Sequence, residues 1–139
     1  MKREKRGFTL IELLAVAMII ALLAAFVAPR VFKGLGQAKH DIARGKIAIL
    51  ESALARFEYS CGRPPTDSEG LGALLAAPAD VQERWDGPYI KKSDLMDPWN
   101  NPYMYMQQGQ VNVGGYDIFS YGADGQPGGE GDNADIYND

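Results

Sequence analysis

A basic head followed directly by an apolar run is the feature that most constrains how this chain folds. Four basic side chains stand among residues 1–6, Gly7 follows them, and the 17 residues of Leu13–Pro29 are all apolar. At about 1.5 Å of rise per helical residue this run spans roughly 25 Å, and the apolar residues before it extend the helix to bilayer thickness. Glu12 places a carboxylate within the segment, where an ionisable group is costly and usually has a partner. We therefore expect a membrane helix whose single charge has a specific role.

The charge of the chain is distributed unevenly. The formal net charge is −4, but residues 1–7 carry four basic groups against one glutamate, so residues 8–139 sum to −7 from 10 basic and 17 acidic groups. Basic flanks remain on the cytoplasmic side of a membrane, so the rest of the chain is expected on the other side. Residues 116–139 hold six carboxylates and no lysine or arginine. This argues against a nucleic-acid partner, which needs a basic face, and favours a solvated acidic tail or a cation site.

Two interpretations of the apolar segment compete. A secretory signal is cleaved after its apolar run, but a cut after Ala28 would put bulky Phe26 at the third position back and Pro29 just beyond the cut. A cut before the run would leave the membrane helix in the mature protein. Gly7 followed by bulky Phe8 is an odd arrangement for a plain anchor and favours this second interpretation.

The stretch KRGFTLIELLAVAMIIALLA resembles the class III signal of type IV pilin-like proteins. In that family a prepilin peptidase cuts after the glycine and N-methylates the new terminus, which implies a cut between Gly7 and Phe8. The new amine of Phe8 then lies one helical turn from Glu12. The resemblance implies that Glu12 meets the N-terminal amine of a neighbouring subunit, which neutralises both charges in apolar surroundings and sets the axial register. The alternative is a glutamate that snorkels to the head-group layer.

The helical pattern continues beyond the membrane. One apolar stripe repeats at 4-3-4-3 spacing and is expected to pack in a core: Ala43, Ile47, Leu50, Leu54 and Phe57. The pattern predicts one helix from about Thr9 to about Tyr59, half in lipid and half packed on a globular domain. An adjoining stripe lies closer to the membrane and could face the core or other subunits: Leu35, Ala38, Ile42, Ile49 and Ala53.

Several residues are expected to weaken or end this helix. Pro29 lacks a backbone donor and should kink or loosen it. Gly34 and Gly36 weaken the same zone. Gly62 and the two prolines that follow it end the helix and force a turn.

The rest of the chain predicts short elements. Thr66 and Glu69 have the spacing of a capping box, and three leucines after them give a short helix its buried side. Tyr103–Gln107 and Tyr116–Ser120 are expected to be strands. The predicted fold class is α+β, a long N-terminal helical spine packed on a small antiparallel sheet. The predicted division is residues 1–7 as a cleaved leader, 8–32 as the membrane and assembly helix, and 33–139 as a globular domain.

Three C-terminal segments resemble the major pseudopilin family of the type II secretion system (general secretion pathway protein G): PPTDSEGLGALLAAP, WDGPYIKKSDLMDPWNNPYMY and GGYDIFSYGADGQPGGEGDNADI. The resemblance implies a pilin-like structural subunit, without catalytic residues, that forms a homopolymer. This filament, the pseudopilus, would drive folded exoproteins through an outer-membrane secretin. The other implied partners are prepilin peptidase, minor pseudopilins and an inner-membrane assembly platform. The implied location is the bacterial inner membrane, single-pass, with a cytoplasmic N-terminus and a periplasmic globular domain.

The tail SYGADGQPGGEGDNADIYND has the composition of a hard-cation site. Residues after Asp124 do not fit an EF-hand loop, and the calcium repeat pattern GGxGxD is missed by one residue, so the pattern alone leaves a solvated tail equally open. The resemblance implies that this loop binds Ca²⁺. The implied ligands are the carboxylates of Asp124, Asp132 and Asp135 and the backbone carbonyls of Tyr121 and Gln126. Asn133 is a weaker candidate, and Glu130 is expected to face solvent.

Other functions remain open on the residues alone. One is a monomeric, membrane-tethered calcium-binding module whose helix is only an anchor, and another is a type IV pilin or a minor pseudopilin. Adhesive pilins generally end in a disulfide-closed loop, which Cys61, the only cysteine, cannot make. An enzyme is disfavoured because no pair of carboxylates lies in a sequence motif and His40, the only histidine, has no evident catalytic partner. Cys61 itself is expected to be a buried, inert thiol.

Overall fold

The computed structural model describes residues 7–139, which divide into one unit through Leu35 and a second from Gly36 to Asp139. Helix α1, Leu10–Cys61, begins in the first unit and continues into the second. In the first unit every side chain is exposed, including the large apolar ones from Phe8 to Phe32. This part of α1 is long and apolar enough to cross a membrane.

Both ends of α1 follow from the sequence around them. The first helical hydrogen bond runs from the Leu13 N–H to the Thr9 carbonyl at 3.1 Å. At the other end the Gly62 N–H donates to the Glu58 carbonyl at 2.8 Å, and two prolines follow shortly after. The predicted helix is therefore confirmed, with slightly shifted ends. α1 continues through Pro29, so the loosening expected there does not interrupt the helix.

The predicted core stripe of α1 is confirmed. All five of its members are at most 3% exposed, and Cys61 is also buried: Ala43 0%, Ile47 2%, Leu50 0%, Leu54 2%, Phe57 0% and Cys61 1%. Burying a side chain of this size contributes roughly 1.5–3 kcal/mol, so the stripe is the main apolar anchor of the second unit. The adjoining stripe is largely uncovered, since Leu35, Ile42 and Ile49 are more than half exposed while Ala53 is buried.

A three-stranded antiparallel sheet packs against the second unit's part of α1. The strands are β1, Met104–Met106, β2, Asp117–Ser120, and β3, Ile136–Tyr137, in the order β1-β2-β3. The two predicted strands are confirmed, although each is shorter than expected. The third strand was not predicted, because two residues in an acidic, glycine-rich tail carry no alternating pattern. Its place is set by pairing, with Tyr137 opposite Phe119 and the two rings stacked at 5.0 Å.

Hydrogen bonds join the helix to the sheet side of this unit. The Tyr103 hydroxyl donates to the Ala43 carbonyl of α1 at 3.1 Å. Asn138, directly after β3, donates from its amide to Glu51 of α1 at 3.1 Å and accepts from the Ile118 N–H at 2.8 Å. The α+β fold, a long helix packed on a small antiparallel sheet, is therefore confirmed.

The predicted short helix has a different form from the one expected. Thr66 and Glu69 do make the reciprocal capping box, with the Thr66 N–H 2.8 Å from Glu69 Oε2 and the Glu69 N–H 3.4 Å from Thr66 Oγ1. The box closes a turn, and a 3₁₀ helix then runs over Gly70–Leu74 with Leu71 and Leu74 buried. Further 3₁₀ helices are Lys92–Leu95 and Gly131–Asn133.

A buried carboxylate holds the loop between β1 and β2. Asp117 is 1% exposed and accepts the N–H groups of Gln110, Val111 and Asn112 at 2.7–3.0 Å, together with the Asn112 side-chain amide at 3.0 Å. Burial opposes ionisation of Asp117, but the backbone N–H donors outweigh it and lower the pKa of this carboxyl. The loop therefore folds around one ionised side chain.

An ion-pair cluster ties the turn after α1 to the following loop. Arg63 donates to both carboxylate oxygens of Glu69 at 2.8 Å and to Asp80 at 2.7 Å. The hydrogen bonds from Arg63 hold the pKa of Glu69 at about 2, and Glu69 is mostly shielded from solvent. This cluster fixes the chain reversal at the end of α1.

Candidate functional site

The predicted cleavage site lies just before α1. Gly7 and Phe8 precede the first helical residue, and Phe8 is 84% exposed. Residues 1–6, the rest of the predicted leader, lie outside the described part of the chain. An exposed peptide bond without helical hydrogen bonds is the type of backbone that a peptidase acts on.

Glu12 forms a capping box at the start of α1. The Thr9 N–H and hydroxyl donate to Glu12 Oε2 at 2.8 and 2.9 Å, and Thr9 Oγ1 accepts the Glu12 N–H at 3.3 Å. The Thr-x-x-Glu spacing was present in the sequence, but this second use of Glu12 was not predicted. The carboxylate also lies at the positive end of the helix dipole. Glu12 Oε1 makes no hydrogen bond to any residue from 7 to 139, so one oxygen remains available to an amine.

The acidic tail begins with the C-terminal loop, residues 121–135, which joins β2 to β3. Asp124 accepts the Gln126 N–H at 3.1 Å and is exposed. The Ala123 N–H donates to the Asp132 carbonyl at 2.8 Å, so the outgoing and returning limbs of the loop lie side by side. Gly122 has a φ of 71°, and a Cβ there would come within 2.9 Å of the backbone of residues 132–134. Only glycine fits this close approach in a left-handed conformation.

The three predicted carboxylate ligands have different surroundings. Asp135 Oδ2 accepts the Gly128 N–H at 2.9 Å, while Asp135 Oδ1 is buried and has no hydrogen-bond partner among the described residues. The Asp132 carboxylate lies against Gly36 of α1, where a Cβ would overlap it. Within residues 7–139, no three acidic, histidine or cysteine side chains lie grouped closely enough to hold one metal ion. The structure therefore does not bring Asp124, Asp132 and Asp135 together as a preformed cluster.

The donor chemistry of the loop nevertheless fits a hard cation. A buried carboxylate oxygen without a partner is rare in folded proteins, and Asp135 Oδ1 is such an atom. The loop that contains Asp135 also contains the carboxylates of Asp124 and Asp132 and several backbone carbonyls, and such oxygens are the ligands that calcium prefers. Glu130 is exposed, as expected for a side chain that takes no part in the loop.

His40 contacts the loop from α1, which the sequence did not indicate. Its Nε2 lies 2.9 Å from the Gly131 carbonyl, and its ring packs edge-on against Trp99 at 5.1 Å. A carbonyl only accepts, so this ring nitrogen carries the proton and donates. The histidine therefore ties the returning limb of the loop to the spine.

Comparison with known proteins identifies the family. Residues 30–139 match the family described as type II secretion system (T2SS), protein G, and residues 2–28 match the prokaryotic N-terminal methylation motif. The chain belongs to the type II secretion system protein G family. Its members are the major pseudopilins, which are structural subunits and not enzymes, as predicted. The type IV pilin and minor pseudopilin alternatives are not favoured by these matches.

Individual relatives of this pseudopilin agree over nearly the whole chain. The type II secretion system core protein G of Pseudomonas aeruginosa is 40% identical over 141 residues, covering 99% of this chain and 96% of that protein. The core protein G of Vibrio cholerae is 40% identical over 138 residues, covering 98% and 92%. The crystal structure of the major pseudopilin from the type 2 secretion system of enterohaemorrhagic Escherichia coli is similar, with 32% identity and a TM-score of 0.60 over 73% of this chain and 87% of that chain.

The matches also bear on the N-terminal segment. The methylation motif spans the predicted cut and nearly all of the apolar run, so pseudopilin processing by prepilin peptidase follows from the family. The same motif with an exposed apolar helix indicates anchoring in the inner membrane. The secretory-signal interpretation, with a cut after the apolar run, is not favoured.

Proposed function

We propose that this pseudopilin is cut between Gly7 and Phe8, methylated at Phe8, and assembled through Glu12 into a homopolymeric pseudopilus. The proposed assembly role of Glu12 rests on the geometry at the start of α1. Thr9 holds one carboxylate oxygen of Glu12 and leaves the other without a partner among the described residues, beside an exposed apolar helix. The amine of a neighbouring Phe8 would satisfy that oxygen.

The proposed division and location follow from the same segment. Residues 1–7 are the leader, 8–32 the membrane and assembly helix, and 33–139 the periplasmic domain, with the N-terminus cytoplasmic because of its basic residues. Head-to-tail contacts between identical subunits that do not close generate an open filament. Its growth would push folded exoproteins through the outer-membrane secretin, together with minor pseudopilins and an inner-membrane assembly platform. A plain membrane anchor would not need Glu12.

The assembly proposal is tested by separating the charge of Glu12 from its capping role. We expect Glu12→Ala to insert and be cut to begin at Phe8, as shown by mass spectrometry, yet to form no stable filaments in electron micrographs. Thr9→Ala is the matched control, because it removes the side-chain cap, worth about 1 kcal/mol, and keeps the carboxylate. We expect filaments from Thr9→Ala. Normal filaments from Glu12→Ala, or equal loss in both variants, would contradict the ion-pair role.

We also propose that the C-terminal loop binds Ca²⁺. The proposed ligands are the carboxylates of Asp124, Asp132 and Asp135 and the carbonyls of Tyr121 and Gln126. Support comes from the buried, unpartnered oxygen of Asp135 and from the absence of any lysine or arginine among residues 116–139. Bound calcium would neutralise carboxylates that otherwise repel one another. Because these carboxylates are not grouped, we expect ion binding to bring the three aspartate side chains together, so that binding energy is partly folding energy.

The calcium proposal is tested on residues 33–139, which contain the whole second unit and its hydrophobic core. Calcium should raise the melting temperature, and magnesium, which prefers a tighter octahedral shell, should raise it far less. Asp124→Ala should abolish the calcium response and make the tail protease-sensitive while α1 stays folded. Glu130→Ala removes the same charge from an exposed site in the same loop and should keep the response. Identical melting in calcium and in chelator would mean that there is no site.

A further inference from the structure

The start of the C-terminal loop is held by the turn of residues 97–101, which precedes β1 in the sequence. Gly122 lies between two proposed calcium ligands, Tyr121 and Asp124. Its carbonyl accepts the side-chain amide of Asn101 at 2.8 Å, and its N–H donates to Ser120 Oγ at 3.0 Å. Both polar backbone groups of Gly122 are therefore fixed by side chains.

A buried carboxylate organises these side chains. Asp97 is 4% exposed and Ser120 is 0% exposed, and the Ser120 hydroxyl donates to Asp97 Oδ2 at 2.6 Å. Asp97 Oδ1 accepts the N–H groups of Trp99 and Asn101 at 2.9 and 2.8 Å. The Asp97 N–H in turn donates to the Asn101 carbonyl at 2.8 Å. Both oxygens of the Asp97 carboxylate have hydrogen-bond partners. Asp97 therefore has a structural role in this network and is not a metal ligand.

This network holds Gly122, which is tightly packed against the returning limb of the loop. Gly122 packs against the backbone of residues 132–134, so a shift of Gly122 also moves the returning limb that carries Asp132. The Asn101 side chain reaches the loop a second time, 3.4–3.5 Å from the position of a Cβ on Gly125. The Asn101 side chain therefore hydrogen-bonds the loop before Asp124 and lies close to it after Asp124.

We propose that Asp97, Asn101 and Ser120 are positioning residues for the cation of the C-terminal loop. They hold the Gly122 peptide, and through it the Tyr121 carbonyl and the Asp124 backbone, in place before an ion arrives. Pre-ordering ligands reduces the entropy lost on binding, so it raises affinity without adding a contact to the ion. This inference rests on the proposed calcium binding.

The test compares calcium affinity with stability in the absence of calcium. Isothermal titration of residues 33–139 with calcium chloride gives the Kd, and thermal unfolding in chelator gives the melting temperature. We expect Asn101→Ala to raise the Kd for calcium about tenfold or more. The variant loses the side-chain hydrogen bond to the Gly122 carbonyl but keeps the backbone hydrogen bonds between residue 101 and Asp97. Ser120→Ala should also raise the Kd. It serves as the test variant if Asn101→Ala does not fold in chelator.

Asn112→Ala is the matched control. It removes the same side-chain amide from the Asp117 network, which lies outside the C-terminal loop. This variant should lower the melting temperature in chelator and leave the Kd unchanged. A wild-type Kd in both Asn101→Ala and Ser120→Ala would overturn the positioning role while calcium binding stands. No binding by the wild-type fragment would overturn the calcium proposal and this inference together.

Discussion

Replacing Asp117 by asparagine should strongly destabilise the second unit, because it changes one buried carboxylate oxygen into an NH₂ group. Each oxygen of the Asp117 carboxylate accepts two N–H donors, Oδ1 from Asn112 and Oδ2 from Gln110 and Val111. An asparagine keeps one carbonyl oxygen and turns the other oxygen into an NH₂ group. In either orientation two donors then lose their acceptor.

The magnitude follows from the number of donors affected. A buried donor left without a partner costs about 1–3 kcal/mol, so two such donors cost about 2–6 kcal/mol. Whole domains are stable by only about 5–15 kcal/mol. At about 4 °C per kcal/mol for a domain of this size, the melting temperature should fall by roughly 8–24 °C.

The assay is thermal and urea unfolding of residues 33–139, with an unchanged m-value as a check that the unfolding transition is the same. Asp67→Asn is the control, because Asp67 is exposed and, among residues 7–139, accepts only the Gln107 N–H, at 2.7 Å. That change should stay within about 0.5 kcal/mol. If Asp117→Asn is as mild as Asp67→Asn, the loop between β1 and β2 is not organised by this carboxylate.

Two further predictions concern other contacts of the second unit. Arg63 lowers the pKa of Glu69 to about 2. The stabilisation from this ion pair is therefore complete above about pH 4.5 and is lost as the pH falls toward 2. Because the pair is partly exposed, its contribution to the free energy of unfolding is limited to about 1–2 kcal/mol. Melting temperatures of wild type and Glu69→Gln should therefore differ at pH 7 and converge near pH 2, and a constant difference would contradict this pairing. Gly36→Ala places a Cβ against the Asp132 carboxylate, which must move aside, so it should give less stability than Gly45→Ala, which has open space beside it and should stabilise α1 by up to about 1 kcal/mol. Equal melting shifts in these two glycine variants would show that Asp132 moves aside freely.

The sequence by itself determined the features that depend on near neighbours. The 4-3-4-3 spacing from Ala43 to Phe57 specifies one buried face of α1, because residues three and four apart share a side of a helix. Gly62 and the prolines after it specify the end of α1, because glycine readily takes the left-handed conformation that closes a helix and proline disfavours a helical residue before it. The capping box of Thr66 and Glu69 was also predictable, because both partners lie within one turn.

Only the tertiary structure decided what packs against the acidic tail. His40 and Gly131 are 91 positions apart, and Asp97 and Ser120 are 23 apart, so no local pattern links them. Strand β3 exists because Tyr137 finds Phe119 beside it, although two residues have no strand pattern of their own. Such pairings depend on which buried surfaces and polar groups the folded chain brings together. Local propensity acts over one or two turns, whereas the surroundings of this loop are set by burial and hydrogen bonding between segments that meet only after folding.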